Sequence, residues 1–330
     1  MSAPTHLPVL LTRGPTGYRL LDSGAGRKLE RFGAMVVDRP EPQALWQPGL
    51  DKAQWAKAHA AFAASAEDDE KGRWRIDKPV PEDWPVDVEG VKVHCRLAGL
   101  WHLGLFPEQL PHWEWMLEQI SRASGRSALS TANPDVDGGA SDVGLRKSAQ
   151  PDLRGVSDKP RVLNLFGYTG AASLLAAKAG AEVVHVDASK KAIQWGRQNQ
   201  AASRLDDAPI RWICEDARKF AAREVRRGRT YHSILIDPPK FGRGPEGEVW
   251  DLFTHLPALL ADCVKLLAPS GAHMILTAYA IRASVLSLDG LMREQLAIRG
   301  GTIESGELAL AEESGRRVIG TSMFSRWSAA

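Results

Sequence analysis

From residue 159 to the C-terminus, short apolar runs alternate with longer amphipathic stretches. "RVLNLF", "AEVVHVD", "PIRWIC", "YHSILID" and "GAHMILTAY" read as strands. Between them, "AASLLAAKAG", "ASKKAIQWGRQNQAAS", "DARKFAAREVRRG" and "GEVWDLFTHLPALLADCVKLLAP" read as helices. Strands alternating with helices form βαβ units, and these predict an α/β fold with a parallel, doubly wound sheet. The ending breaks the rhythm: "GTIESGELAL" and "RRVIGTSMFSRW" flank "AEESG", as a closing antiparallel pair would.

The first 120 residues follow another pattern. "YRLLDSGAGRKLERFG" predicts a hairpin turning at Ser23 to Gly26, with "AMVVD" and "VKVHCRLAGL" as further β segments. "FPEQLPHWEWMLEQI" has helical spacing, with Trp113, Met116, Leu117 and Ile120 on one stripe, where core packing is the natural use of the tryptophan. Residues 121–158 are rich in Ser, Gly, Ala and Asp and contain no aromatic residue. Such a segment cannot bury enough apolar surface to fold alone, and it reads as a flexible linker. The expected organisation is a β-rich N-terminal domain over 1–120, a linker over 121–158 and an α/β domain over 159–330.

Composition adds little that is specific. Over 330 residues, 44% hydrophobic and 25% charged residues describe an ordinary soluble globular chain. A net charge of +2 permits a nucleic-acid partner without announcing one. Cys95, Cys214 and Cys263 lie far apart, so neither a disulfide framework nor a zinc site is encoded, and no metal is expected. No apolar run has the length of a membrane span and no signal core opens the chain, so a cytoplasmic setting is the expectation.

Candidate chemistry falls at strand ends, where the ligand crevice of an open α/β sheet lies. Gly167 and Gly170 follow the first strand, where glycines let a backbone approach a ligand and expose amides at a helix N-terminus. Asp187 ends the second strand, at the separation of an acid that accepts ribose hydroxyls. Asp216 follows the third strand, where it can cap a helix, face an adenine, or do both. "DPPK", Asp237 to Lys240, ends the fourth; two prolines make a rigid turn that can hold a carboxylate and carbonyls against a substrate. Phe166 stands where a dinucleotide G-x-G-x-x-G turn would want glycine, which weighs against the alternative of a nicotinamide-dependent oxidoreductase. A non-catalytic cofactor-binding protein stays open as a third reading.

In order, "YRLLDSGAGRKLERFG", "RPEPQALW", "GLFPEQLPHWEWM", "VLNLFGYTG", "VDASKKAI", "DPPKFGRG" and "RRVIGTSMFSRW" resemble a class I S-adenosylmethionine-dependent methyltransferase. Within that class they are similar to the large-subunit ribosomal RNA methyltransferase I/K-like family. The resemblance implies a Rossmann-like sheet of seven strands, mostly parallel with the last antiparallel, S-adenosyl-L-methionine as cofactor and RNA, ribosomal RNA first, as substrate. It implies that Asn164, Phe166, Gly167, Tyr168, Thr169 and Gly170 surround the methionine portion and ribose. Asp187 would take the ribose hydroxyls, with Ala188 and Ser189 beside it; Asp216 and Ala217 would face the adenine. Asp237, Pro238, Pro239 and Lys240 would form the catalytic acceptor side, and Phe106 to Gln109 would come close to the cofactor.

Departures from the family narrow the chemistry. Methylation of cytosine carbon 5 needs a cysteine thiolate, and neither "DPPK" nor "TAYAIR" carries one, so transfer to nitrogen is expected. Lys240 separates Phe241 from the prolines, leaving Phe241 to stack on a substrate base and Lys240 to meet a phosphate. The family's N-terminal PUA domain is expected to be absent. "RKFAAREVRRGR", with six cations in twelve residues, reads first as a solvated helix face, and His185 as a core histidine. Monomer and homodimer are both open.

Overall fold

The computed structural model describes residues 6–13, 17–64, 72–98, 101–123, 159–279 and 281–329. Its first half contains β1 (Val9–Thr12), β2 (Tyr18–Gly24), β3 (Arg27–Phe32), β4 (Met35–Pro40), α1 (Lys52–Trp55), β5 (Ala60–Ala64), β6 (Gly72–Ile76), β7 (Trp84–Val88), β8 (Val91–Cys95) and α2 (Leu110–Ala123). β2 to β6 form one sheet in chain order, and β7 pairs with β8 as a separate ribbon. The expected hairpin is β2–β3, closed where Ala25 (φ 50) and Gly26 (φ 74) both turn left-handed. Helix α2 continues through 121–123, past the expected start of the linker; residues 124–158 lie outside the described residues.

The second half runs β9 (Arg161–Leu165), α3 (Ala171–Lys178), β10 (Glu182–Asp187), α4 (Lys190–Ala202), β11 (Ile210–Cys214), α5 (Ala217–Arg226), β12 (Ser233–Ile236), β13 (Phe241–Arg243), β14 (Val249–Asp251), α6 (Leu252–Leu266), β15 (His273–Tyr279), α7 (Val285–Leu296), β16 (Thr302–Ala311) and β17 (Val318–Ser328). The large sheet has the order β1-β16-β17-β15-β12-β9-β10-β11. Every strand in it is parallel except β17, which runs against both β15 and β16.

Two differences from the sequence reading have physical causes. The sheet has eight strands, because β1 pairs in parallel with β16 from Val9↔Glu307 to Thr12↔Leu310. A four-residue edge strand carries almost no periodicity, and its partner lies at the far end of the chain. Second, the expected helix from Gly247 begins at Leu252, since Val249–Asp251 pairs with Phe241–Arg243 and Asp251 caps the helix by accepting from the Thr254 amide.

Strand alternation divides the core. Val162, Val183, Leu235 and Ile275 face one apolar cluster, while Leu163, Val184, Ile234 and Met274 face the other. The first cluster also takes Trp113, Met116 and Ile120 of α2, with Leu117 packed against it, together with Val86 and Val93 of the β7–β8 ribbon. The N-terminal elements and the large sheet therefore share one continuous core. Strand order reverses between β9 and β12, which opens a crevice at the carboxyl ends of the strands.

Candidate active site

That crevice is a cleft of about 580 Å³, within the size range of small-molecule sites, with a recess of about 60 Å³ beside it. The cleft wall contains Phe166 and Tyr168 after β9, Asp187, Ala188 and Ser189 after β10, and Glu215, Asp216 and Ala217 after β11. After β12 come Asp237, Pro238, Pro239 and Lys240, followed by Phe241. Asn164, Gly167 and Thr169 line the recess, which Phe106, Gln109 and Asp237 share with the cleft.

Gly170 is the exception among the expected residues, since it lines neither space. It is the N-cap of α3 at φ 86, and a Cβ there would lie 2.6 Å from Trp212. The close approach that excludes a side chain is thus to an indole inside the protein. Gly167 is similar, since a Cβ would stand 2.6 Å from Nδ1 of His185. Between them the turn is held in unusual backbone geometry, with φ 57 at Phe166 and φ 52 at Tyr168, conformations that bulky residues hold at a cost of about 1–3 kcal/mol each. Asp187 anchors it: the Tyr168 amide donates to Oδ2 at 2.9 Å and the Ser189 amide to Oδ1 at 2.8 Å. Burial pushes the Asp187 carboxyl up, and these two amides pull it back. A carboxylate has about four acceptor positions, so two are left for a ligand.

Asp216 is buried and caps α5, accepting from the amides of Arg218 at 2.9 Å and Lys219 at 3.1 Å. The capping reading therefore holds, and it leaves the residue in the cleft wall beside Ala217. Asp237 is half-buried at the fourth strand tip; burial first, then the neighbouring Glu108 charge, push its carboxyl up to about 7. The Gln109 side chain donates to its Oδ2 at 3.2 Å.

His102 and Trp250 in the wall had no signal in the sequence, whereas Phe106 to Gln109 were expected near it. The segment 101–109 crosses the cleft and brings His102, Phe106, Glu108 and Gln109 to it. Its rings run His102 to Phe106 at 5.0 Å and Phe106 to Tyr168 at 5.5 Å between centroids. Arg39 of β4, itself paired with Glu30, donates to the Trp101 carbonyl at 3.1 Å and anchors this crossing. Burial pushes His102 down to about 3, so it is a neutral ring. Trp250 of β14 donates Nε1 to the Pro239 carbonyl at 2.7 Å and packs 4.9 Å from Phe166, bracing the proline turn from behind.

No cysteine lines the cleft: Cys95 and Cys263 are buried with thiols pushed up by desolvation, and Cys214 gives its thiol to the Ala188 carbonyl at 3.6 Å. His185 is a core residue whose Nδ1 meets Ser173 at 2.9 Å; Nε2 has no partner among the described residues. The basic helix α5 is largely neutralised by its neighbours, through Arg223 to Glu215, Arg227 to Glu224 and Lys219 to Glu246 and Glu248. Among the described residues no cluster of metal-ligand type occurs, and no helix is long and apolar enough to cross a membrane. The cleft wall therefore combines hydrogen-bond acceptors and aromatic faces with a raised carboxyl on a rigid turn.

No family model matches the chain. A solved structure, the SAM-dependent methyltransferase from Agrobacterium tumefaciens, is 45% identical, superposes with a TM-score of 0.82, and is matched over 99% of this chain and 97% of its own. Ribosomal RNA large subunit methyltransferase K/L of Shewanella frigidimarina is 35% identical over 135 residues, 39% of this chain and 19% of its own length. Ribosomal RNA large subunit methyltransferase I of Aeromonas salmonicida is 31% identical over 169 residues, 49% of this chain and 40% of its own. The chain thus spans less than half the length of these curated relatives.

Proposed function

This chain belongs to the S-adenosylmethionine-dependent methyltransferases, and we propose that its cleft binds that cofactor and delivers the methyl group to a nitrogen of a base in RNA. The observation that supports this best is the gathering of four consecutive strand tips around one cleft, with the acceptor groups and Asp237 in the same wall. The donor set fits the cofactor. Asp187 would take the ribose hydroxyls on its two open acceptor positions, flanked by Ala188 and Ser189. Asp216 and Ala217 would border the adenine. Asn164, Phe166, Gly167, Tyr168, Thr169, Phe106 and Gln109 would enclose the methionine end, where the recess lies. Family membership removes the nicotinamide alternative.

When bound, the cofactor would supply an electrophilic methyl on its sulfonium sulfur, for the acceptor nitrogen to take as the carbon–sulfur bond breaks and S-adenosylhomocysteine leaves. The protein's part is positioning and proton removal, since a nitrogen needs no covalent activation. Asp237 in its carboxylate form accepts a hydrogen bond from the acceptor N–H and takes the proton that the nitrogen sheds. A group near 7 suits that task at neutral pH. Pro238 and Pro239 cannot drift into helix, and Trp250 fixes the carbonyl of the second, so the carboxyl keeps its aim. Lys240 beside it would meet a phosphate. RNA, and ribosomal RNA first, is supported by the activities in the names of the curated relatives. Transfer to nitrogen is supported by the lack of any thiol in the cleft wall.

Calorimetric titration with S-adenosylhomocysteine, followed by transfer of a tritiated methyl to total RNA, tests both halves. No affinity for S-adenosylhomocysteine would overturn the cofactor site; label on protein or small molecules but not on RNA would overturn the substrate.

A further inference from the structure

The hairpin β13–β14 has two unlike faces. Residues opposite one another in an antiparallel pair project to the same side. Its register, Phe241↔Asp251, Gly242↔Trp250 and Arg243↔Val249, therefore puts Phe241, Arg243, Val249 and Asp251 on one side and Trp250 on the other, with Asp251 turned to capping α6. Trp250 is 3% exposed, while Phe241 is 62% and Val249 57% exposed. Phe253, in the first turn of α6, is also exposed. Lys240 holds its Nζ 5.2 Å over the Phe241 ring.

The hairpin is tied down, which separates it from a loose surface loop. Arg218 donates to the Val249 carbonyl at 3.0 Å, Lys219 binds Glu246 at 2.8 Å as well as Glu248, and the Leu252 amide donates to the Lys240 carbonyl at 3.0 Å. Those cations of α5 are thereby spent within the fold. Lys240 and Arg243, at the cleft mouth, have no ion-pair partner among the described residues.

We propose that this outer face is a docking platform for the unpaired RNA strand that flanks the target base, with Phe241 stacking a neighbouring base, Lys240 and Arg243 holding phosphates, and Val249 and Phe253 extending the apolar track. The inference rests on the RNA reading above and adds where the strand lies. An exposed ring bracketed by two cations that form no ion pair among the described residues complements a stacked base and its phosphates, and the fixed hairpin spares the strand the cost of ordering it. An apolar peptide would use the apolar residues but leave both cations unanswered.

The test is fluorescence anisotropy with a labelled, unstructured RNA of about a dozen nucleotides, within the site sizes of single-strand binders. Phe241→Ala should weaken binding by roughly tenfold and Phe241→Trp should restore it, as loss and recovery of one stacked base. Lys240→Gln and Arg243→Gln should each reduce the salt slope by about 1. Val249→Ser with Phe253→Ser, outside the cleft wall, should weaken RNA binding while calorimetry with S-adenosylhomocysteine shows an intact fold. RNA affinity unchanged in all these variants, with methyl transfer to RNA intact, would overturn the platform and leave the proposed function standing. Equal affinity for a duplex, or a dimer in sedimentation that Val249→Ser dissolves, would also overturn it.

Discussion

Gln109 donates its side-chain amide to Oδ2 of Asp237 at 3.2 Å, although the two lie 128 positions apart in the chain. Thr277 of β15 in turn reaches Oε1 of Gln109 at 3.5 Å. The N-terminal crossing segment thus orients the carboxyl that the C-terminal sheet supplies. Gln109→Leu should lower kcat by about tenfold or more while S-adenosylhomocysteine still binds, because one hydrogen bond to a charged group stabilises by roughly 1.5–3 kcal/mol. Single-turnover methyl transfer measured beside calorimetry checks this, and an unchanged kcat would remove Gln109 from the positioning role.

Asp237→Ala should abolish methyl transfer with the cofactor still bound. The Asp237→Asn variant keeps the shape of the group and loses the proton acceptor, so it should be equally inactive under saturating substrate. Retained turnover in either variant would take Asp237 out of the mechanism.

Asp187→Ala should weaken S-adenosylhomocysteine binding by at least about tenfold, since each charge-assisted hydrogen bond contributes roughly 1.5–3 kcal/mol. It also strips the Tyr168 and Ser189 amides of their acceptor, so the turn at Phe166–Tyr168 should loosen. Calorimetric affinity equal to that of the unaltered protein would refute the ribose role.

The pH dependence follows from Asp237. Burial, with Glu108 as the second cause, raises its carboxyl to about 7. A general base acts only when deprotonated, so kcat/KM should climb through about pH 7 and level off above it. Glu108→Gln removes the neighbouring charge and should move that midpoint to lower pH. For stability, the folded carboxyl keeps its proton longer than the unfolded one. Its contribution is therefore full below the unfolded value near pH 4 and is lost as pH rises through about 7. Asp237→Asn should flatten that slope in urea unfolding followed from pH 4 to 8; an unaltered slope would contradict the raised carboxyl.

Gly170→Ala should cost about 1–3 kcal/mol of stability, through the left-handed backbone and the contact with Trp212. Urea unfolding measures it, and an unshifted midpoint would mean that the indole yields freely. By contrast, single Cys→Ala replacements at 95, 214 and 263 should leave methyl transfer in place, with nucleoside mass spectrometry showing an N-methyl product. Loss of transfer in any of them, with a carbon-5 product, would reinstate thiolate chemistry.

What local pattern could determine, it did. The βαβ alternation from Arg161 to Tyr279, the antiparallel closing pair, and the placement of Asp187, Asp216 and Asp237 at strand ends all follow from residues within a few positions of one another. Side-chain period reports which face of an element is buried, and element order reports where the strand tips lie. Neither reports which distant segment covers that face. Only the tertiary structure brought β1 to β16, Glu108 and Gln109 to Asp237, and Trp250 behind Pro239, and only it showed that Gly170 backs onto Trp212. These are packing relations between surfaces far apart in the chain, chosen by shape and burial, and hydrophobic periodicity is the same whichever partner an element finds.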